Sequence, residues 1–262
     1  MLPALSYKIA RRGGAFLVKA GIAGQTAIVT GAARGIGLGI ARRLAEEGCR
    51  VVVWDRDTAP LDRAGEFAPA HVETVDVTRL DAVERAFERT VEAVGEVQIL
   101  VNNAGVNGPV VQVWDYPPDA WDRVLAVNLT GVFYCCRTAV PHMRAQGYGR
   151  IVTVASIAGK EGNANICAYS ASKAGVIGFC KGLAKELFGT GVLVNCVAPV
   201  MTETDLFKEM TQAHIDHCRS LIPMGRFLQI DEIAAMVAWI AGPECSFTTG
   251  AVFDLSGGRA TY

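Results

Sequence analysis

Short runs rich in valine and isoleucine recur along the chain, at Thr26–Thr30, Arg50–Trp54, Val72–Asp76, Ile99–Asn102, Arg150–Ala155, Leu193–Val197 and Ala251–Asp254. Their hydrophobicity is mostly continuous rather than alternating. A strand with one wet face alternates apolar and polar residues, whereas a strand covered on both faces does not. Longer amphipathic segments lie between the runs, at about Gly35–Glu47, Asp81–Val94, Ala120–Arg144, Ala168–Phe188 and Asp231–Ala241. This alternation predicts an α/β fold with a doubly wound, Rossmann-like parallel sheet of seven strands. Neither a Pro- or Ser-rich linker nor an internal repeat divides it. The expected organisation is a single catalytic domain over residues 23–262, preceded by an extension at 1–22. The stretch Val200–Leu228 breaks the βα rhythm. Long irregular segments in compact domains are usually functional, so this one is expected to cover a site.

The leading segment carries Lys8, Arg11, Arg12 and Lys19, and no acidic residue occurs before Glu46. Such a start fits either a loose extension or a mitochondrial transit segment. The net charge of −1 and the lack of a basic tract argue against a nucleic-acid partner. No apolar run approaches the roughly 18 residues that would argue for a membrane span. The eight cysteines are scattered, without a CxxC pair or metal-ligand spacing. They read as free thiols in a reducing compartment, with no metal site. The expected location is the cytoplasm, or the mitochondrial matrix if residues 1–22 are a transit segment.

The first strand runs into Thr30-Gly31-Ala32-Ala33-Arg34-Gly35-Ile36-Gly37, and a helix follows. Glycines permit a tight turn and close backbone approach to a pyrophosphate, and the helix N-terminus offers free N–H groups. The spacing is GxxxGxG rather than GxGxxG. Asp55 closes the second strand. A carboxylate there can accept hydrogen bonds from an adenosine ribose and would repel a 2′-phosphate, which favours NAD over NADP. Arg34 and Arg56 pull the other way, since either could pair with that phosphate.

Tyr169 and Lys173 lie four residues apart at the start of a predicted helix, so both project from one face. An ammonium near a phenol favours the phenolate, lowers its pKa and fits the tyrosine for moving protons on and off a hydroxyl. Three further segments reach the same sheet edge or its neighbourhood. These are Asn102-Asn103-Ala104-Gly105, Ser156 after the fifth strand, and Asn128, a polar residue in an otherwise apolar helix.

Together these motifs closely resemble the short-chain dehydrogenase/reductase family, in order and spacing, from about Gly24 to Gly258. The resemblance implies roles for the matching positions. Tyr169 would be the catalytic acid/base. Lys173 would lower its pKa and bind the nicotinamide ribose. Ser156 would hydrogen-bond the reacting oxygen and stabilise charge developing on it. Asn128 would hold a water linking Lys173 to solvent; the alternative is a satisfied asparagine at a helix kink. Gly31, Arg34, Gly35, Ile36, Gly37, Asp55, Asp76, Val77, Asn103, Ala104, Gly105, Tyr169, Lys173, Pro199 and Thr204 would contact the cofactor. The family usually has Pro-Gly where this chain has Pro199-Val200. A β-branched residue tolerates positive φ poorly, so the backbone there must differ or be strained.

The substrate is less legible. Lys160, Glu161, Asn163 and Asn165 make the stretch between Ser156 and Tyr169 polar. Glu203, His214, His217 and Arg219 lie in the late loop, and Arg259 in the tail. With Ser156 and Tyr169, a set including Glu161, Asn163 and Arg219 suggests a pocket for hydroxyls and a carboxylate. The expectation is NAD-dependent hydride transfer to or from a secondary alcohol or ketone of a small sugar, sugar acid or polyol, with similarity to bacterial sugar-acid dehydrogenases. The alternatives are a 3-oxoacyl-thioester reductase using NADPH and, more remotely, a non-catalytic dinucleotide sensor. Small residues Ala171, Ala174, Gly175, Gly178 and Gly182 could pack the helix on its own sheet or on a second subunit. The resemblance implies a homotetramer, and places the Gly257–Tyr262 tail near a neighbour's pocket.

Overall fold

The computed structural model describes residues 10–12, 15–17, 20–63, 65, 67–202 and 212–261. A small antiparallel pair, β1 (Ala10–Arg12) and β2 (Ala15–Leu17), precedes the main sheet. That sheet contains β3 (Thr26–Thr30), β4 (Arg50–Asp55), β5 (His71–Thr74), β6 (Ile99–Asn102), β7 (Gly149–Val154), β8 (Val192–Pro199) and β9 (Val252–Leu255). The order is β5-β4-β3-β6-β7-β8-β9, and every neighbouring pair is parallel. The expected seven-stranded doubly wound sheet is therefore present, with strand ends within one or two residues of the sequence reading.

The continuous hydrophobic runs are explained by two cores, one on each face. Ile28, Trp54, Leu100, Ile151 and Val194 point to one side. There they meet α2 (Leu80–Val94), α4 (Gly131–Gln146) and α6 (Cys167–Glu186). Their immediate neighbours Val29, Val53, Val101 and Val152 point to the other side, as the period of two requires. There they meet α1 (Gly35–Glu46) and α8 (Ile230–Ala241). Each large aliphatic side chain buried in this way contributes about 1.5–3 kcal/mol. The strand order reverses between β3 and β6, and the C-terminal strand ends carry Thr30, Asp55, Asn102, Val154 and Pro199 to one edge. That switch point is where such sheets bind ligands.

Four features depart from the sequence reading. The packed body begins before residue 23: Ala20 and Ile22 are buried in the α1/α8 core, and Ala20 N–H donates to Glu47 Oε2 at 2.9 Å. The helix expected over Ala120–Arg144 is not uniform. It consists of α3 (Pro118–Leu125), a π turn at Ala126–Thr130 and α4. The stretch Pro118–Gln146 is also long and apolar enough, by length and composition, to cross a membrane, contrary to the expectation of no such run. Here its apolar side, with Val124, Val132, Cys135, Cys136, Ala139 and Met143, packs into the fold.

The fourth departure concerns Val200. Among the described residues only Asn165 is a non-glycine with positive φ, so Val200 is not forced into a glycine conformation. Its N–H instead donates to Leu255 O at 3.1 Å, carrying the β8–β9 pairing one residue further. The buried Val200 side chain joins Ile157, Ile222, Phe227 and Ala260 in a small apolar cluster above the sheet edge.

Candidate active site

The turn after β3 is shaped for close approach. A Cβ on Gly31 would stand 2.8 Å from Ala104 Cα, and one on Gly37 would stand 2.2 Å from Gly31 O. Gly35 has φ +58°, which favours glycine. Helix α1 starts at Gly35 without a capping side chain, so its first N–H groups and dipole face the edge. A pyrophosphate fits this cradle, with Arg34, Gly35, Ile36 and Gly37 supplying its rim. Asn103, expected along the cofactor, braces the cradle from beneath: Nδ2 donates to Thr30 O at 2.9 Å and Gly31 O at 3.0 Å. The hydroxyl of Thr30 accepts from the N–H groups of Asn103 and Ala104 at 3.0 and 3.1 Å. In the sequence Thr30 stands out only as part of the glycine motif; its role as the hub joining β3 to β6 depends on the loop after β6.

Asp55 closes β4 beside the cradle. Its Oδ2 accepts from Ala33 N–H at 3.0 Å and its Oδ1 from Asp57 N–H at 3.1 Å. Arg34 lies 3.7 Å from Asp57 on the surface, so part of its charge is already answered. Asp76 Oδ1 accepts from the backbone and hydroxyl of Thr78, and the buried Val77 packs against Gly131. Pro199 ends β8, and its carbonyl accepts from Ile157 N–H at 3.2 Å. Thr204 and Glu203 lie outside the described residues.

Beside this cradle, α6 carries Tyr169 and Lys173 on one face. The phenol of Tyr169 lies close enough to the Ser156 hydroxyl to be influenced by it. Lys173 Nζ lies 5.8 Å from the centre of the tyrosine ring and donates to Val154 O at 2.6 Å. The expected depression of the tyrosine pKa is absent. Burial raises it, and the neighbouring Ser156 hydroxyl lowers it only in part. Burial likewise lowers the Lys173 pKa to about 8. Lys173 is buried and Tyr169 half-buried, and Lys173 is aimed at a carbonyl rather than at the phenol. Close packing makes this possible: a Cβ on Gly159 would stand 2.6 Å from the Lys173 carbonyl carbon.

Asn128 sits fully buried in the π turn. Its Oδ1 accepts from Val106 N–H at 2.8 Å, and its Nδ2 donates to Val106 O at 2.9 Å and to Ser172 Oγ at 3.0 Å. Ser172 in turn donates to Tyr169 O at 2.7 Å. Asn128 and Lys173 both flank Gly105, whose added Cβ would lie 3.4 Å from Asn128 Oδ1 and 3.7 Å from Lys173 Nζ. Asn128 therefore ties the loop after β6 to α6. π turns are frequent at functional sites.

The polar segment after Ser156 forms the short helix α5 (Ala158–Glu161) and a loop. Its side chains meet the C-terminal tail. Lys160 Nζ lies 2.8 Å from Asp254 Oδ2, and Arg259 bonds Glu161 Oε2 at 3.0 Å and Asn163 Oδ1 at 3.4 Å. Asn163 N–H donates to Ser170 Oγ at 3.1 Å, and Asn165 O accepts from Val111 N–H at 2.9 Å. Glu161 and Asn163 thus stand together on one wall. Arg219 does not join them through a described contact: it sits exposed on α7 (Gln212–Ser220), 3.3 Å from Asp216 and over the Phe227 ring. Exposed His217 lies on the same helix.

A family profile described as short chain dehydrogenase matches residues 25–215, which includes the cradle, Ser156, Tyr169 and Lys173. The chain belongs to the short-chain dehydrogenase family. It is an oxidoreductase acting on CH–OH groups, as the motifs implied. This short-chain dehydrogenase is 48% identical over 241 residues to the 2-dehydro-3-deoxy-L-rhamnonate dehydrogenase (NAD(+)) of Sphingomonas sp. (strain SKA58), covering 92% of the chain and 97% of the relative. It is 38% identical to the 3-oxoacyl-(acyl-carrier-protein) reductase of Thermotoga maritima, over 90% and 97% of the two chains. Among solved structures, an NAD+-bound xylitol dehydrogenase superposes with a TM-score of 0.86 at 32% identity, over 90% of this chain and 99% of that one.

Proposed function

We propose that this short-chain dehydrogenase uses NAD to interconvert a secondary alcohol and a ketone on a small sugar acid. The observation that carries the reading is the Ser156 hydroxyl beside the Tyr169 phenol, with Lys173 on the same helix face, next to the glycine cradle at the sheet's switch point. The cradle fits a dinucleotide, Asp55 favours an unphosphorylated ribose, and NAD would supply the hydride-accepting ring. Two similar proteins, acting on a sugar acid and a polyol, support the substrate class. The polar wall of Glu161, Asn163 and Arg259 agrees with it.

In the oxidative direction, Tyr169 Oη takes the proton of the substrate hydroxyl, and Ser156 Oγ holds the same oxygen as its charge changes. With NAD bound, Lys173 would be the residue placed to hold its ribose, and a Lys173 charge beside the phenol would offset the burial that raises the tyrosine pKa. Asn128 keeps the loop after β6 and α6 at a fixed separation, so the ring and the substrate carbon meet in one geometry.

A turnover screen tests the reading, comparing NAD and NADP against sugar acids, polyols, aldoses and 3-hydroxyacyl thioesters. NAD-linked oxidation of a sugar acid, abolished in Tyr169→Phe with cofactor binding retained, is expected. Preferential turnover of thioesters with NADPH would replace the reading with a 3-oxoacyl-thioester reductase. Retained biological activity without turnover would replace it with a dinucleotide sensor.

We also infer a tetramer assembled through α4 and α6. Gly178 and Gly182 have nothing within 4 Å of an added Cβ, and Phe133 and Phe188 are exposed nearby. Gly175, by contrast, packs inward on Leu129. A monomer in size-exclusion chromatography at micromolar concentration would overturn this. The eight free thiols support a reducing, cytoplasmic location.

A further inference from the structure

We propose that Arg259, in the C-terminal tail, holds the substrate's carboxylate, and that Glu161 occupies that place when substrate is absent. The inference rests on the sugar-acid reading above.

A carboxylated substrate needs a cation within reach of Ser156 and Tyr169; among the described residues, the basic side chains of α5, α7 and the tail that the sequence marks for this pocket are Lys160, Arg219 and Arg259. Lys160 is nearly buried and committed to Asp254. Arg219 is exposed and lies between Asp216 of its own helix and the face of Phe227. Of these three, Arg259 is the one tied to the wall that links both catalytic candidates. It bonds Glu161, whose N–H donates to Ile157 O, the carbonyl next to Ser156. It also bonds Asn163, whose N–H donates to Ser170 Oγ, next to Tyr169. The next tail residue, Ala260, packs with Ile157 and Val200.

The geometry of the Arg259–Glu161 pair is the second argument. A guanidinium fork matches a carboxylate best when each of two N–H groups takes its own oxygen. Here Nε and Nη2 both lie 3.0 Å from the same atom, Glu161 Oε2. The pair is one-oxygened, and both partners remain partly open to solvent, at 20% and 23%. A substrate carboxylate presenting both oxygens makes the better match and displaces Glu161. Asn163 Oδ1, already on Nη2, helps hold the fork in place. Glu161 thus acts as an internal stand-in for the carboxylate, competing with it.

The test compares the wild type with Arg259→Gln, Arg259→Lys and Glu161→Gln on a 2-keto-3-deoxyaldonate and on the neutral 3-deoxyalditol of the same carbon skeleton. For Arg259→Gln the KM for the acid should rise at least tenfold. The loss of kcat/KM should be at least tenfold larger for the acid than for the alditol. Arg259→Lys should fall between, and Glu161→Gln should lower the acid's KM two- to fivefold, a gain that misfolding cannot produce. Equal losses on both compounds, or an acid KM within twofold of wild type in Arg259→Gln, would overturn the proposal. Binding of the acid to the enzyme–NADH complex, followed by NADH fluorescence, gives a readout independent of turnover. Binding without turnover, weakened tenfold in Arg259→Gln, would sink the sugar-acid reading and keep the Arg259 assignment. Neither binding nor turnover of the acid would sink both.

Discussion

Lys173 Nζ donates to the carbonyl oxygen of Val154 at 2.6 Å while standing 5.8 Å from the ring centre of Tyr169, with which it shares a helix face. The ammonium is almost fully buried, and burial lowers its pKa from 10.5 to about 8. Between those values the unfolded chain holds the proton and the folded chain has lost it. Stability from this group therefore rises as pH climbs from about 8 to 10.5, and is flat below. The full change is on the order of 3 kcal/mol. Urea denaturation of the wild type and Lys173→Met across this range is the check, since the extra upward slope should vanish in the variant. Parallel curves would contradict it.

Asn128 satisfies both backbone groups of the half-buried Val106, and Asn128→Ala would remove both of these partners. The expected cost is about 2–4 kcal/mol of stability, with loss of turnover. Asn128→Asp keeps the acceptor and loses both donor bonds, so it should fall between. Denaturation midpoints and kcat for the three proteins decide this; an alanine variant as stable as wild type would remove the clamp from the account.

Replacing Asp55 by serine removes the charge that would repel a 2′-phosphate, and weakens the bond to Ala33 N–H. The ratio of kcat/KM with NAD to that with NADP should fall by roughly 10- to 100-fold, equivalent to about 1–3 kcal/mol. Initial rates with both cofactors measure it, and an unmoved ratio would assign cofactor choice elsewhere.

Two glycines should respond in opposite ways to alanine. Gly37→Ala puts a methyl 2.2 Å from Gly31 O and 2.4 Å from Asn103 Nδ2. It should cost about 2–4 kcal/mol and most of the cofactor affinity. Gly178→Ala meets nothing within 4 Å and removes a helix-interior glycine, which should stabilise the subunit by roughly 0.5–1 kcal/mol. If α6 faces α6 across an interface, the same methyl should loosen assembly. Thermal melts and sedimentation separate the two effects.

The sheet was legible because parallel strands covered on both faces leave unbroken runs such as Ile99–Asn102, and because Gly31, Gly35 and Gly37 mark the first crossover. The cluster of candidate residues was legible as spacing. Their directions were not. Nothing in Tyr169 and Lys173 says that the lysine will bond Val154 O, because that depends on how α6 seats on β7. The π turn left no periodic signal, since one additional residue within a turn disturbs hydrophobic spacing too little to register beside a long apolar helix. The bond between Arg259 and Glu161 joins positions far apart in sequence, which only the β9 crossover brings together.

The turn at Ala126–Thr130 also bears on how the gene can change. A π turn holds one residue more than the α-helix around it needs, so the stretch from Pro118 to Gln146 carries a removable unit of length. Deleting one codon there would leave a continuous helix with no break to repair. The extra residue is absorbed within the turn, so the residues on either side keep the angular register of an unbroken α-helix. Removing it would leave Val132, Cys136, Ala139 and Met143 of α4 facing the core, and would take away the bulge that carries Asn128 to Val106. A single-codon deletion in this turn should therefore be tolerated as architecture and felt at the loop after β6.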